Sequence, residues 1–247
     1  MEVLTDLNTA FEVEAAKPEL AFLPLGATEQ HSRHLPIGTD TITGELLSAD
    51  ILSAVDRPGA ALLLRTLPIS SSMENTGFVG TMLFTPMTMR GIVRDAWQSV
   101  SRVGIRWLVV AAWHGGNFIV KPVVREQNWE IGRCGVIYLN PWEHVPEEAF
   151  EGFATGFEVH SGDVETSLML ALCPEHVRDN CRDNPVPFKA IWQDMFSMKT
   201  LSGGEGNAGS PSRATAQKGR PIARAIVEGS ARYIEEVLKM ADQYPQY

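Results

Sequence analysis

Two hydrophobic rhythms alternate along the chain. Continuous apolar runs occur at Leu20 to Leu25 and Trp107 to Ala112, with shorter ones at Ala61 to Leu67 and Gly135 to Leu139. Runs of that length between turn residues read as strands covered on both faces. Elsewhere the apolar positions recur every three or four residues. Ile42, Leu46, Ala49, Leu52 and Val55 predict a helix over Thr41 to Val55, closed by Arg57-Pro58-Gly59. Met89, Val93, Ala96, Val100 and Val103 predict a second, entered through Thr85-Pro86 and stopped at Gly104. A third spans Phe118 to Ile131, a fourth includes Leu168 to Leu172 with Asp163 as its cap, and a last one runs from about Gly219 to Met240. On that last helix Ile222, Ile226, Ser230, Tyr233 and Val237 mark one face, and Pro185 to Gly209 before it is expected to be irregular. Strand and helix in alternation imply an α/β fold with a mostly parallel sheet, in which ligands bind beyond the carboxyl ends of the strands.

Composition narrows the partners. With 247 residues, 44% of them apolar and 21% charged, the chain suits one globular domain over residues 1–247. The net charge of -9, with no cluster of Lys and Arg, argues against nucleic acid and leaves small molecules or peptides. Met1 to Lys17 has neither a basic nor an apolar region of the kind a secretory signal needs, and no apolar run reaches membrane-spanning length. Three cysteines, Cys134, Cys173 and Cys181, without a Cys-x-x-Cys pair suit reduced thiols in a cytoplasm.

Chemistry concentrates in three loops. Gly26 to Asp40 holds Glu29, His31, His34 and Asp40 directly after the first predicted strand. Glu29 and His31, two apart, leave an extended backbone on the same side. His114 follows another strand in Trp113-His114-Gly115-Gly116-Asn117, and His160 precedes Glu165 in a helix's first turn. Singly each has a plain role: Asp40 and Asp163 as caps, Glu29 solvated, His34 in a loop hydrogen bond, His144 and His176 on the surface, Trp113 in packing. Together, Glu29, His31, Asp40, His114 and Glu165 form an imidazole and carboxylate set of the kind zinc or manganese takes, with ferrous iron a third candidate. Three carboxylates and a hydroxide balance two dications, and Asp40 is short enough to bridge them. His160 is then the proton carrier, and amides around Gly115 and Gly116 are oxyanion donors. Arg33 is a candidate contact for an anionic substrate. No Gly-x-Ser-x-Gly, His-Glu-x-x-His or nucleotide fingerprint is present, and Ser202 to Ser210 lacks the Gly-Lys-Ser/Thr ending of a phosphate loop.

These motifs resemble the creatininase (creatinine amidohydrolase) family: Gly26-Ala27-Thr28-Glu29-Gln30-His31 with His34-Leu35-Pro36 and Thr39-Asp40, His114-Gly115-Gly116-Asn117, His160-Ser161-Gly162 with Glu165-Thr166-Ser167, and Gly206 to Gly219. The resemblance implies a three-layer α/β/α sandwich, a dinuclear zinc or manganese centre and a homohexamer. It puts Glu29 and His114 on one ion, His31 and Glu165 on the other, Asp40 between them and His160 on protons. Family members hydrolyse cyclic or linear amides, or oxidised inositols. Glu74 and Asn75 fall in a segment similar to the family's substrate loop, Asn75 where histidine is common, and Trp142 corresponds to a substrate-covering tryptophan. Gly116 stands where true creatininases carry a further acidic ligand, Ser32-Arg33 where Gly-Pro is usual, and Trp113 where glycine commonly precedes the histidine. No tryptophan stands shortly before His160, where a second substrate-covering one is expected. These departures bear on the substrate. The implied activity is hydrolysis of a small amide, with hydrolysis of an activated ketone and a metal-stabilised binding protein as alternatives.

Overall fold

β1 (Glu2–Leu4), β2 (Leu20–Leu25), β3 (Ala60–Leu63), β4 (Trp107–Ala112) and β5 (Val136–Leu139) form one parallel sheet in the order β1-β3-β2-β4-β5. The structure, a computed structural model, describes residues 1–153, 158, 160–186 and 197–244. Its helices are α1 (Ala10–Ala16), α2 (Thr39–Ala54), α3 (Pro86–Arg102), α4 (Val120–Ile131), α5 (Asp163–Leu172), the short α6 (Met198–Leu201) and α7 (Ala216–Gln243).

Every residue of β2 and β4 is buried, which is why neither shows polar alternation. Successive side chains instead divide between two cores. Leu20 and Phe22 pack with Leu47 and Ile51 of α2, Leu168 of α5 and Ile222 and Ile226 of α7. Ala21, Leu23 and Leu25 pack with Met89 and Val93 of α3 and Val120 and Val124 of α4. The result is the expected three-layer α/β/α arrangement. Burying each large side chain contributes about 1.5–3 kcal/mol, so the two covered strands are the best-anchored part of the sheet.

The sheet order positions the site. From β2 the chain crosses to β3 on one side, and then returns to β4 on the other. The loops leaving β2 and β4 therefore diverge and open a crevice at their carboxyl ends. Glu29, His31 and His114 follow those two strands directly.

Several local expectations change. β3 ends at Leu63 rather than Leu67, although Leu67 pairs again with Leu25. The third helix enters through a 3-10 turn at Gly115–Ile119. α2 buries Thr43, Gly44, Leu47, Ser48, Ile51 and Leu52, while Leu46, expected inside, is 43% exposed. The reason is close approach: a Cβ on Gly44 would come within 2.8 Å of the Trp113 ring, so small residues line this contact. In α3, Trp97 fills the stripe and Val103 lies outside it. α7 starts three residues earlier than expected, at Ala216, capped by the Thr215 side chain. Gly162, not Asp163, caps α5, and Asp163 is bound to Lys218. His144 is half-buried and stacks on Tyr233 at 4.2 Å rather than lying free on the surface. In the segment expected to be irregular, α6 is a short exception, and residues 187–196 lie outside the described residues. Among the described residues no helix is long and apolar enough to cross a membrane.

Candidate metal centre

The loop from Gly26 to Gly38 folds back on itself, with the Glu29 amide donating to the Ile37 carbonyl at 2.8 Å. That closure delivers Asp40, in the first turn of α2, back to Glu29 and His31. Asn117 joins the other loops to this one. Its amide nitrogen donates to the Leu25 carbonyl at 3.2 Å, and its oxygen accepts from the Ser71 amide at 3.3 Å. One buried side chain thus ties the end of β2, the turn carrying His114 and the segment carrying Glu74.

Seven residues from separate loops and helix ends converge. His114 Nδ1 lies 3.3 Å from Glu29 Oε1 and 3.6 Å from Asp40 Oδ2. His31 Nε2 lies 3.8 Å from Asp40 Oδ1, and His160 Nδ1 lies 3.7 Å from Glu29 Oε1. His31, Asp40 and Glu165 place ligand atoms within 4.8 Å of one another, as do Glu29, Glu74 and His114, and Glu29, His31 and His160. Most of this set is fully enclosed, yet both Glu29 oxygens, Asp40 Oδ2 and His31 Nε2 have no hydrogen-bond partner among the described residues. Each buried polar atom left so costs about 1–3 kcal/mol, and more when charged. A donor set of buried carboxylate oxygens and imidazole nitrogens turned toward one another fits divalent cations.

The electrostatics point the same way. Burial and the neighbouring Glu29 raise Asp40 well above the usual carboxylate range, with Glu165 and Glu74 adding to it. Burial likewise raises Glu165, against the pull of His160 and the Ser161 amide. Burial would raise Glu29 too, but His114, His160 and His31 outweigh it and hold the carboxyl low. Burial and His160 push His31 down to about 3. For His114 burial is outweighed by Glu29, Glu74 and Asp40, which raise it well above the ordinary imidazole value. Without cations, protons on Asp40 and His114 supply the positive charge the cluster needs.

Ser32 and Ser161, each following a cluster histidine, both adopt left-handed backbone, at φ 58° and 49°. Such conformations cost a non-glycine residue about 1–2 kcal/mol and gather at functional sites. The buried Ser161 hydroxyl also has no partner among the described residues. Ser161→Gly is therefore expected to raise stability by about 0.5–1 kcal/mol, read as a higher denaturation midpoint. An unchanged or lower midpoint would show that the turn is unstrained.

His34 lies outside the cluster. Its Nε2 meets Thr166 Oγ1 at 2.9 Å, and burial followed by His160 lowers it to about 4. Because this lies below the unfolded value of 6.5, the unfolded chain binds more protons between those pH values. Its contribution is therefore complete above pH 6.5 and is lost as pH falls toward 4, on the order of 3 kcal/mol in all. Chemical denaturation across that window should show the decline, and His34→Gln should flatten it.

The remaining expected residues divide. Trp142 borders a small cavity with Asp40, Glu165 and Trp113. Arg33 pairs with Glu205 at 3.0 Å on the surface. Asn75 accepts from the Gln30 side chain at 2.6 Å, and Glu74 Oε1 sits 2.9 Å from His114 Nε2. Gly116 backs the contact between Glu74 and His114. Gln30 and Asn117 were not anticipated. Both are buried amides that hold loops together, and their only sequence signal is adjacency to the motif histidines.

The family described as creatinine amidohydrolase matches residues 7–234. Creatinine amidohydrolase from Pseudomonas putida is 32% identical over 241 residues, covering 90% of this chain and 91% of its own. The mycofactocin precursor peptide peptidase of Mycobacterium tuberculosis is 27% identical over 247 residues, covering 95% and 91% respectively. A solved mutant creatininase of Zn-Zn type matches with a TM-score of 0.77 at 26% identity, covering 96% of this chain and 98% of that one. With agreement of sequence and fold over nearly its whole length, the chain belongs to the creatininase family of hydrolases.

Proposed function

We propose that this chain hydrolyses a C–N bond of a small cyclic or linear amide at a centre of two divalent ions, zinc or manganese. The supporting observation is the buried set of carboxylate and imidazole atoms between β2 and β4 that have no hydrogen-bond partner among the described residues. Glu29 and His114 would hold one ion and His31 and Glu165 the other, with Asp40 shared. Bound in pairs, such ions acidify water to a pKa of roughly 7 and polarise the carbonyl under attack.

Proton handling falls to His160, and its tautomer follows from counting hydrogens. The Gln30 side-chain nitrogen donates to Asn75 Oδ1 at 2.6 Å and to the Gly206 carbonyl at 2.7 Å, which uses both of its hydrogens. The Gln30 side-chain oxygen accepts from the Ser32 amide, which fixes the amide's orientation. His160 Nε2 is therefore the donor to the Gln30 backbone carbonyl at 2.8 Å. Its Nδ1 lone pair then faces Glu29, where it can take a proton and pass it to the leaving nitrogen.

The test is metal analysis of the purified protein, followed by a panel of lactams, formamides, short peptides and oxidised polyols. Two ions per chain and turnover of an amide, lost on chelation and restored by the metal, support the reading. Turnover that survives exhaustive chelation refutes it, and hydrolysis confined to polyols moves the chemistry to a C–C bond. The reading includes a homohexamer, in keeping with Leu7 and Phe11 beside and on α1, which are 84% and 82% exposed. Light scattering should give about six times the chain mass, and a monomer would remove that part.

A further inference from the structure

We infer that Glu74 is a positioning residue for His114: its carboxylate accepts the Nε2 proton and keeps the Nδ1 lone pair directed at Glu29 and Asp40. The inference rests on the proposed metal centre and adds the group that orients one of its ligands.

An imidazole that coordinates through one nitrogen carries its proton on the other, and that N–H needs an acceptor to fix the ring. His114 has carboxylates at both ends. Glu29 and Asp40 lie at Nδ1, at 3.3 and 3.6 Å, and Glu74 lies at Nε2, at 2.9 Å. The Glu74 oxygen is at hydrogen-bond distance but off the ring's N–H axis, so accepting the proton requires the imidazole to turn slightly toward it. The two ends also differ in burial. Glu29 is wholly enclosed, whereas the Glu74 side chain is 22% exposed and approaches from the rim.

Two further features keep Glu74 in place. Gly116 leaves the space in which carboxylate and imidazole meet: a Cβ there would collide with His114 Nε2 and the Ser71 carbonyl, and come within 2.6 Å of Glu74 Oε1. The segment is also fastened on both sides of Glu74. Before it, the Ser70 hydroxyl donates to the Gly26 carbonyl and the Ser71 amide to Asn117. After it, Asn75 accepts from Gln30. Fastening the backbone on both sides limits the directions in which the Glu74 side chain can reach.

The experiment is competition titration of Zn2+ against a chelator, with wild type, Glu74→Ala, Glu74→Gln, His114→Ala and the double variant Glu74→Ala/His114→Ala. Glu74→Ala is expected to weaken binding at one site by about 10–100-fold while two ions still bind at saturation. Glu74→Gln, which keeps an acceptor without the charge, should weaken it less. In the His114→Ala background, Glu74→Ala should cost nothing more, because its effect passes through that ring. Metal-free thermal midpoints of the Glu74 variants should match wild type. Full affinity in Glu74→Ala, saturation at one ion fewer, or an additive loss in the double variant would overturn the inference. Wild-type protein that binds no Zn2+ would instead bring down the metal centre itself, and this inference with it.

Discussion

Asp40→Asn is expected to remove at least about three orders of magnitude of turnover while leaving the metal-free protein as stable as wild type or more so. The first half follows from position. Asp40 Oδ1 faces His31 and Oδ2 faces His114, so this one carboxylate serves both halves of the cluster. Losing the several kcal/mol of transition-state stabilisation that a metal pair supplies is a loss of about 10³-fold or more. The second half follows from burial. Asp40 is enclosed among Glu29, Glu165 and Glu74, which is why its carboxyl holds its proton so far above the ordinary range. An uncharged amide of the same shape removes the cost of protonating the buried carboxyl at neutral pH, in exchange for one hydrogen-bonding choice. A residue kept for structure loses stability when replaced, and one kept for chemistry often gains it. Thermal denaturation in chelator, beside steady-state kinetics, reads both halves. A large loss of metal-free stability would mark Asp40 as structural.

His160→Ala is expected to lower kcat by about 10²–10⁴ with both ions still bound, the usual contribution of a positioned acid or base. The prediction separates two roles the geometry brings close together. His160 Nδ1 is 3.7 Å from Glu29, its ring centroid is 4.5 Å from that of His31, and these three residues form one of the clusters able to hold a cation. If His160 moves protons, the variant keeps its metal and loses turnover. If it is a ligand, an ion leaves with the side chain. Metal content of the purified variant decides between them, and full activity would exclude both roles.

Much of this arrangement is legible from local sequence because the informative segments are buried on both faces. Leu20 to Leu25 and Trp107 to Ala112 stand out as unbroken apolar runs, and the residues after each are forced to the same sheet edge by parallel topology. What escaped was set by contacts between distant segments. β1 offers only Val3 and Leu4 as apolar positions, too few for a pattern, and its pairing with β3 crosses most of the first sixty residues. α1 has a complete capping box at Thr9 and Glu12 but no buried residue, so no apolar stripe announces it. The face of α2 was misplaced because Trp113 and the site demand small or polar residues there. Arg33 is bound to Glu205, 172 positions away, a pairing invisible to local spacing. Gln30 and Asn117 act through backbone carbonyls of other loops, and sequence periodicity carries no trace of that.

Whether separated acids and imidazoles meet around a pair of cations between β2 and β4 is decided by anomalous diffraction from crystals grown with Zn2+ or Mn2+. Two peaks about 3.5–4 Å apart, one against Glu29 and His114, the other against His31 and Glu165, with Asp40 touching both, are expected. A single peak, peaks elsewhere on the chain, or none at saturating metal would contradict the paired site.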